Sequence, residues 1–344
     1  MRVAYWLTSC RVVGMLSIAL AAGAARADAT ADFYGGKTIT VMIASGAGGG
    51  YDFFGRALAK YIGRFLPGHP NAIVQNMPGA GGTKMANYAY NVAPQDGTMI
   101  GVPLAPTPMV QVLTPKGIKY DATKFHWIGN IEQSVGILFT FHTSPTKTIA
   151  DAMKRVTPMA GSGKNSATYQ TPVLCNALLG TQFKVVLGYG GAAQMELAIE
   201  KGEVDGRMSV WQTLKTTQPT WIRDRKVNFL AQSALERSKQ LPDTPTYIEL
   251  AKTEEGKKIF EFLALQNQTG RAVFAPPGAP PDRVAALRHA FDEAVRDPGM
   301  LADMAKVGME IEPTSGDEVQ KAVDRMIATP PQIVARMQAI LDQK

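Results

Sequence analysis

The stretch at residues 38–62, TITVMIASGAGGGYDFFGRALAKYI, contains three patterns in succession. Residues 38–44 are mostly β-branched or apolar, which is typical of a buried strand. A glycine-rich turn occupies residues 45–50, and apolar residues then recur at helical spacing until Pro67 ends the helix. The stretch therefore predicts a strand, a turn and a helix, the first unit of an α/β fold.

The same alternation continues along the chain. Strands are predicted at residues 72–76 and 98–102, with a helix at 83–92 between them, so the first unit reads βαβαβ. Helical connections between successive strands indicate a doubly wound sheet with parallel strands. The pattern restarts after Trp127, and a second α/β unit is the simplest account. Its predicted strands are residues 137–141, 156–160, 183–187, 204–209 and 227–231, and its predicted helices are 148–154, 167–179 and 192–200.

The C-terminal part of the sequence is helical. A rigid proline-rich turn at residues 276–281 is followed by predicted helices at 282–295, 316–327 and 331–341. No repeat of fixed period and no low-complexity linker is visible, so we expect short segments to join the two units.

Residues 1–27 have the features of a secretory signal peptide. Arg2 and Arg11 precede an apolar run at 12–25, and the Ala-Arg-Ala sequence that ends at Ala27 fits the small-x-small cleavage rule. The run is shorter than the ~20 residues that span a bilayer. We therefore expect cleavage after Ala27 and export of the mature chain.

The charge pattern does not favour nucleic-acid binding. The chain contains 36 Lys and Arg against 29 Asp and Glu, a formal charge of +7, and loss of the three arginines in the signal segment lowers it to +4. Basic residues elsewhere alternate with acidic ones, as at residues 223–226, which is typical of a solvated surface.

Four glycine-rich turns lie between the end of a strand and the start of a helix, at residues 45–50, 78–82, 161–166 and 188–191. In open α/β sheets the ligand crevice lies at the carboxyl ends of the strands. Glycine allows main-chain N–H groups to approach a ligand, and the following helix N-terminus favours an anion. Two turns in each unit therefore predict a small anion between two lobes, although tight βα turns without a ligand would use the same residues.

Other chemistries lack their motifs. The sequence has neither a P-loop nor a dinucleotide-binding glycine motif, and its four histidines show no metal-binding spacing. Ser162 is not in a hydrolase G-x-S-x-G motif. Cys175 is the one cysteine after the signal segment, so no internal disulfide is expected, and we interpret it as a small buried hydrophobe. No cofactor and no metal are predicted.

Of three charged residues near these turns, Asp52 and Arg207 allow two interpretations each. Asp52 at the start of the first helix either caps the helix or fixes the shape of the neighbouring glycine turn, and both roles are compatible. Arg56, four residues later, is placed to pair with it. Arg207 either faces the crevice or forms a surface ion pair.

These motifs together resemble the solute receptors of tripartite tricarboxylate transporters, often called the Bug family, over essentially all of the mature chain. The strongest anchors are residues 48–52 with Arg56, the Asn-x-Pro-Gly-Ala-Gly-Gly motif at 76–82, which is specific in this context, and residues 94–98. The other matching segments are residues 161–163, 188–191, 202–205 and 276–280.

The resemblance implies a periplasmic receptor of the type II binding-protein kind, with two doubly wound α/β lobes joined by a hinge. It implies no enzymatic activity, and it implies a small organic carboxylate as ligand and inner-membrane permease subunits as partners. We expect a monomer, with lobe 1 at residues 28–132 plus 256–344 and lobe 2 at 133–255. Two alternatives stay open: presentation of the ligand to a sensor kinase, and an exported α/β enzyme that uses the same cleft.

Family positions carried over one by one imply a ligand site made from the four turns. The first lobe would contribute Ser45, Gly48, Gly49, Asp52, Ala80, Gly81 and Gly82, and the second lobe Ser162, Gly163, Ser166, Tyr189, Gly190 and Gly191. The sequence departs from the family at residues 44–47, where a Pro-rich lead is usual, and at Gly190, where a Lys is frequent. The missing Lys weakens the expectation of a second carboxylate on the ligand.

Overall fold

The computed structural model describes residues 29–47, 50–164, 166–189 and 191–342. The predicted signal peptide and the turn residues Gly48, Gly49 and Gly190 lie outside the described residues. Within the described ranges, no helix has the length and apolar character needed to cross a bilayer.

The strands form two separate mixed sheets. In chain order they are β1 (Thr38–Ile43), β2 (Asn71–Asn76), β3 (Met99–Val102), β4 (His126–Asn130), β5 (Gly136–Phe141), β6 (Thr157–Gly161), β7 (Phe183–Leu187), β8 (Gly206–Val210), β9 (Val227–Ser233), β10 (Ala272–Ala275) and β11 (Thr314–Ser315). The first sheet has the order β11-β4-β10-β3-β1-β2, and the second has the order β7-β6-β8-β5-β9.

Helices cover both sheets. In chain order they are α1 (residues 29–34), α2 (Gly50–Ile62), α3 (Thr83–Asn91), α4 (Thr107–Leu113), α5 (Ile149–Lys154), α6 (Ala167–Leu179), α7 (Ala192–Glu200), α8 (Trp211–Thr217), α9 (Pro219–Arg223), α10 (Tyr247–Leu250), α11 (Glu254–Leu265), α12 (Pro281–Ala294), α13 (Pro298–Lys306), α14 (Gly316–Ile327) and α15 (Pro331–Leu341).

The first predicted strand is apolar because both of its faces are covered. Val41 and Ile43 pack with Phe54 of α2 in one core, together with side chains of α12 and α13. Met42 points to the opposite face and packs with Met85 of α3. Strands buried on both faces carry near-continuous apolar runs, which explains the sequence at residues 38–44.

The parallel pairing predicted from the βαβαβ pattern is confirmed for part of each sheet. β1 is parallel to β2 and β3, and β6 is parallel to β7 and β8. The remaining pairs are antiparallel: β10 with β3 and β4, β11 with β4, and β5 with β8 and β9.

Two crossing segments, residues 131–135 and 266–271, connect the sheets. The Ile131 N–H donates to the Arg271 carbonyl at 3.2 Å, and the Ser134 N–H donates to the Asn267 carbonyl at 3.1 Å. Asn267 also donates through Nδ2 to the carbonyl of Ser233, the last residue of β9. The crossing segments therefore join each other as well as the second sheet.

The C-terminal helix packs against the second sheet's helices. Met337 of α15 lies in one core cluster with Leu174 and Cys175 of α6. Cys175 is fully buried, as expected from the sequence, and burial raises the pKa of its thiol. The lobe boundaries expected from the sequence stay a prediction. They assign α15 to lobe 1 and α6 to lobe 2, and these two helices pack against each other.

Candidate functional site

The carboxyl ends of the parallel strands bring the predicted turns together in pairs. In the first sheet, Ile43 pairs with both Asn76 and Val102, so the turns after β1 and β2 start side by side. In the second sheet, Gly161 pairs with Leu187, so the turns after β6 and β7 also start side by side.

The crossing segments leave the sheets at these same edges. Asn130, at the end of β4, pairs with Ala272, and its Oδ1 accepts the Arg271 N–H at 2.8 Å. Gly136, at the start of β5, pairs with the last residues of β8 and β9, Val210 and Ser233. The turn-bearing edge of each sheet is therefore the edge from which the chain passes to the other sheet.

The first turn is tied down by Asp52. This residue is 3% exposed, and its carboxylate accepts hydrogen bonds from Arg56 Nε at 2.8 Å and from Asn76 Nδ2 at 2.9 Å. Asn76 Nδ2 also donates to the Ser45 carbonyl at 3.0 Å. The Ser45 hydroxyl donates to the carbonyl of Gly46 at 3.2 Å. Arg56 is half exposed, so water screens its charge. The partly buried amide contacts of Asn76 are therefore the firmer restraint on the turn.

The second turn has an unusual backbone. Ala80, Gly81 and Gly82 have φ angles of +46°, +61° and +92°, so three successive residues are left-handed. A Cβ on Gly82 would meet Leu104, whereas a Cβ on Gly81 would meet no atom within 4 Å. Gly81 therefore presents its backbone to open space. Consecutive N–H groups in such turns form concavities that receive anions.

Thr168 organises the third turn. Its Oγ1 accepts the Ser162 N–H at 3.1 Å and lies 2.6 Å from Ser166 Oγ, which in turn donates to the Gly163 carbonyl. A Cβ on Gly163 would meet no atom within 4 Å. Sequence reasoning did not assign a role to Thr168; its position two residues into α6 was the available signal.

The fourth turn is described only in part. Tyr189 is partly buried and packs against the core on one face of the second sheet. Gly191 has an extended backbone with φ 174°, and a Cβ there would meet open space.

Arg207 forms an ion pair in the interior. Its Nη2 lies 2.5 Å from Glu196 Oε1, and both side chains are at most 5% exposed. Gln218 donates to the other Glu196 oxygen, and the guanidinium lies over the Phe139 ring. Of the two interpretations of Arg207, the ion pair is therefore correct, although it is buried and not at the surface. The pair fixes α7, which follows the fourth turn.

Two charged residues at the crossing segments were missed by sequence reasoning. The Arg271 guanidinium stacks 4.1 Å from the Tyr51 ring and donates from Nη1 to the Gly270 carbonyl. Glu132 is 3% exposed; burial raises the pKa of its carboxyl to about 7, against the opposing effect of Arg271. Each lies next to a short strand, outside the glycine motifs, so no spacing in the sequence indicated it.

A cavity of about 700 Å³ lies beside the crossing segments, away from the turns. Residues 234–240, after β9, and residues 312–314, before and within β11, form two of its sides. β11 is the outermost strand on one side of the first sheet, and β9 is the outermost strand on one side of the second. The glycine turns follow β1, β2, β6 and β7, which lie toward the other side of each sheet. No predicted site residue lines this cavity.

The chemistry offered by the four turns is that of main-chain donors. Within the part of the chain that the structure describes, no three His, Cys, Asp or Glu side chains come together as metal ligands would. Left-handed glycine turns, hydroxyl groups and helix N-termini can receive a small anion.

Comparison with known proteins assigns the fold and the family. The model of the tripartite tricarboxylate transporter family receptor, TctC, matches residues 56–340. A curated relative, the UPF0065 protein in the gbd 5′ region of Cupriavidus necator, is 28% identical over 312 residues, which cover 87% of this chain and 86% of the relative.

Solved structures share the two-sheet architecture. A TctC solute-binding protein from Polaromonas, without ligand, has a TM-score of 0.66 at 20% identity and covers 89% of this chain and 98% of its own. MatC from Rhodopseudomonas palustris with bound malate has a TM-score of 0.59 at 23% identity, with coverages of 89% and 99%. A second R. palustris protein, solved with adipate, has a TM-score of 0.61 at 20% identity, with coverages of 88% and 97%. The predicted fold of two α/β lobes of the type II periplasmic-binding-protein kind is confirmed.

Glu132 predicts a specific pH dependence of stability. Its pKa is higher in the folded protein, about 7, than the ordinary value of 4.5, so the folded state favours the protonated form. The resulting contribution to the free energy of unfolding is fully present below pH ~4.5 and is lost as the pH rises from there through 7. A Glu132→Gln variant should therefore be more stable than the unmodified protein by on the order of 2 kcal/mol at pH 8, and nearly equal to it at pH 4.5.

Urea unfolding at the two pH values measures this difference. Replacement of the exposed Glu236 by Gln is the matched control and should change stability at neither pH. An equal effect of Glu132→Gln at both pH values, or a loss of stability at pH 8, would contradict the prediction.

Proposed function

Because the chain belongs to the receptor family of tripartite tricarboxylate transporters, we propose that it is an extracytoplasmic solute receptor that binds a small organic carboxylate between its two sheets. The observation that carries the proposal is the pairing of glycine turns at the edges where the crossing segments leave. We assign the ligand to the space that these turns border, with the turn residues predicted from the sequence as its contacts.

Main-chain donors supply the attraction in this proposal. The left-handed second turn leads directly into α3, and the third turn leads into α6, so each offers N–H groups together with the positive end of a helix dipole. Such termini are worth about 0.3–1 kcal/mol each for an anion, and up to ~2 kcal/mol when partly buried. Several of them acting on one carboxylate supply a few kcal/mol.

The ligands of related structures support the carboxylate class. Malate and adipate, which occupy two of the structural neighbours, are both small dicarboxylates. We propose that this receptor takes a ligand of the same class.

The family also supports a partner and a location. We propose that the signal peptide is cleaved after Ala27 and that the mature receptor works as a monomer in the periplasm. In this proposal the ligand-bound form delivers its ligand to the permease subunits of a tripartite transporter and carries out no chemical reaction.

Thermal unfolding with a panel of carboxylates tests the proposed function. A bound ligand stabilises the folded state by RT ln(1 + [L]/Kd), about 2.7 kcal/mol at one hundred times Kd, so at least one acid should raise Tm by several degrees. The protein is first unfolded, dialysed and refolded to remove any ligand carried through purification. The panel contains mono- and dicarboxylates, aromatic acids and amino acids at millimolar concentration, and an unchanged Tm with all of them would contradict the proposal.

Gly81→Val tests the backbone contact. The φ of +61° disfavours a β-branched residue, and the added methyl groups would project into the space proposed for the ligand, so the affinity for the bound acid should fall below detection. Gly36→Val is a matched control, because Gly36 has φ +71° and equally open surroundings. Gly36 precedes the first residue of β1, whereas the glycine turn follows the last residue of that strand, so the control lies away from the proposed ligand. Titration calorimetry on the two folded variants measures the difference, and wild-type affinity in Gly81→Val would place the ligand elsewhere.

A further inference from the structure

Arg271 is a cation at the edge of the first sheet that carries the glycine turns. It immediately precedes β10, whose antiparallel register with β3 places it beside the carboxyl end of that strand. Its backbone is fixed on both sides: the N–H donates to buried Asn130, and the carbonyl accepts from Ile131. The guanidinium therefore starts from a rigid point.

The side chain reaches the start of α2, directly after the first glycine turn. Its Cζ lies 4.1 Å from the Tyr51 ring centroid and 5.5 Å from that of Phe54. Nη2 lies only 3.1 Å from where a Cβ on Gly50 would stand. Glycine at position 50 thus leaves room for the guanidinium against the helix N-terminus.

Within the described residues, the Arg271 guanidinium makes one hydrogen bond. Nη1 donates to the Gly270 carbonyl, whereas Nε is buried without a hydrogen-bond partner. Among the described residues, no carboxylate lies within 4 Å of Arg271, although its charge lowers the pKa of the buried Glu132 carboxyl against the effect of burial. A guanidinium usually binds carboxylates through two parallel N–H donors.

An unpartnered Nε alone does not identify a site, because Arg283 has one too. Arg283 lies 3.5 Å from the Phe33 ring centroid and donates from Nη1 to the Asp96 carbonyl. It packs beside Gly97, before the start of β3, and therefore at the sheet edge opposite the turns. What distinguishes Arg271 is therefore its position beside the glycine turns, and not its unpartnered Nε.

We propose that Arg271 binds a second carboxylate of the ligand and thereby selects small dicarboxylates over monocarboxylates. The assignment rests on the proposed receptor function. One carboxylate would be held by main-chain donors of the turns and the other by the guanidinium.

Titration calorimetry with acids matched in length tests the proposal. The pairs are succinate with butyrate and adipate with hexanoate. The unmodified protein should bind at least one diacid more tightly than its monoacid. Arg271→Met, which keeps an unbranched side chain over Tyr51, should weaken diacid binding by about tenfold or more and leave monoacid binding unchanged. Arg271→Lys should keep part of the preference.

Two controls separate ligand binding from folding. Arg283→Met removes a guanidinium with similar contacts at the other edge and should bind as the unmodified protein does. If Arg271→Met does not fold, because it leaves Glu132 without its counter-charge, Arg271→Met combined with Glu132→Gln removes both charges and takes its place.

The outcomes distinguish this proposal from the receptor function. The role of Arg271 would be overturned if the folded Arg271→Met protein bound diacids as tightly as the unmodified protein does. It would also be overturned if the unmodified protein bound both members of each pair with equal affinity. Either result would leave the proposed receptor function intact. Binding of other acids in the broad panel without any diacid would overturn the ligand class. Failure of the unmodified protein to bind any acid would overturn the receptor function itself.

Discussion

The hydrogen bonds between the two crossing segments hold the rest of the architecture in register. Ile131 bonds to Arg271 and Ser134 bonds to Asn267, so the connections in opposite directions between the sheets act as one unit. Residues 131–135 follow the carboxyl end of β4, and residues 266–271 run from α11 to the start of β10, which pairs with that end of β4. The glycine turns follow the carboxyl ends of the parallel strands at the same side of each sheet. The paired crossing segments therefore join the two sheets on the side from which the glycine turns extend.

Side chains other than the glycines give the turns their shape. Asn76 bridges Asp52 and the Ser45 carbonyl, and Thr168 bridges the backbone and hydroxyl groups of the third turn. The buried pair of Arg207 and Glu196 holds the helix that follows the fourth turn. Asp52 and the pair of Arg207 and Glu196 are buried, so leaving any of them unpaired is costly, which favours a single conformation. A receptor that binds through its main chain needs this rigidity, since its donors cannot adjust as side chains do.

Local patterns predicted most of the fold. The helices expected at residues 167–179, 192–200, 316–327 and 331–341 and the strand at 183–187 coincide with the observed elements. β4, β10 and β11 were not predicted, because they are two to five residues long and are defined by antiparallel partners distant in sequence. α11 was also missed, although the Thr253 side chain caps its first turn. In the candidate site, the turns were visible as glycine motifs, whereas the positions of Arg271 and Glu132 follow from the long-range pairing of β10 with β4.

Amide hydrogen exchange, followed by mass spectrometry with and without the most strongly bound acid of the panel, tests the central claim most directly. If one ligand contacts turns from both sheets, exchange should slow together at residues 78–82 and 161–166, which lie on different sheets. Protection confined to one of these turns, or found only along the cavity beside β9 and β11, would contradict a carboxylate bound between the sheets.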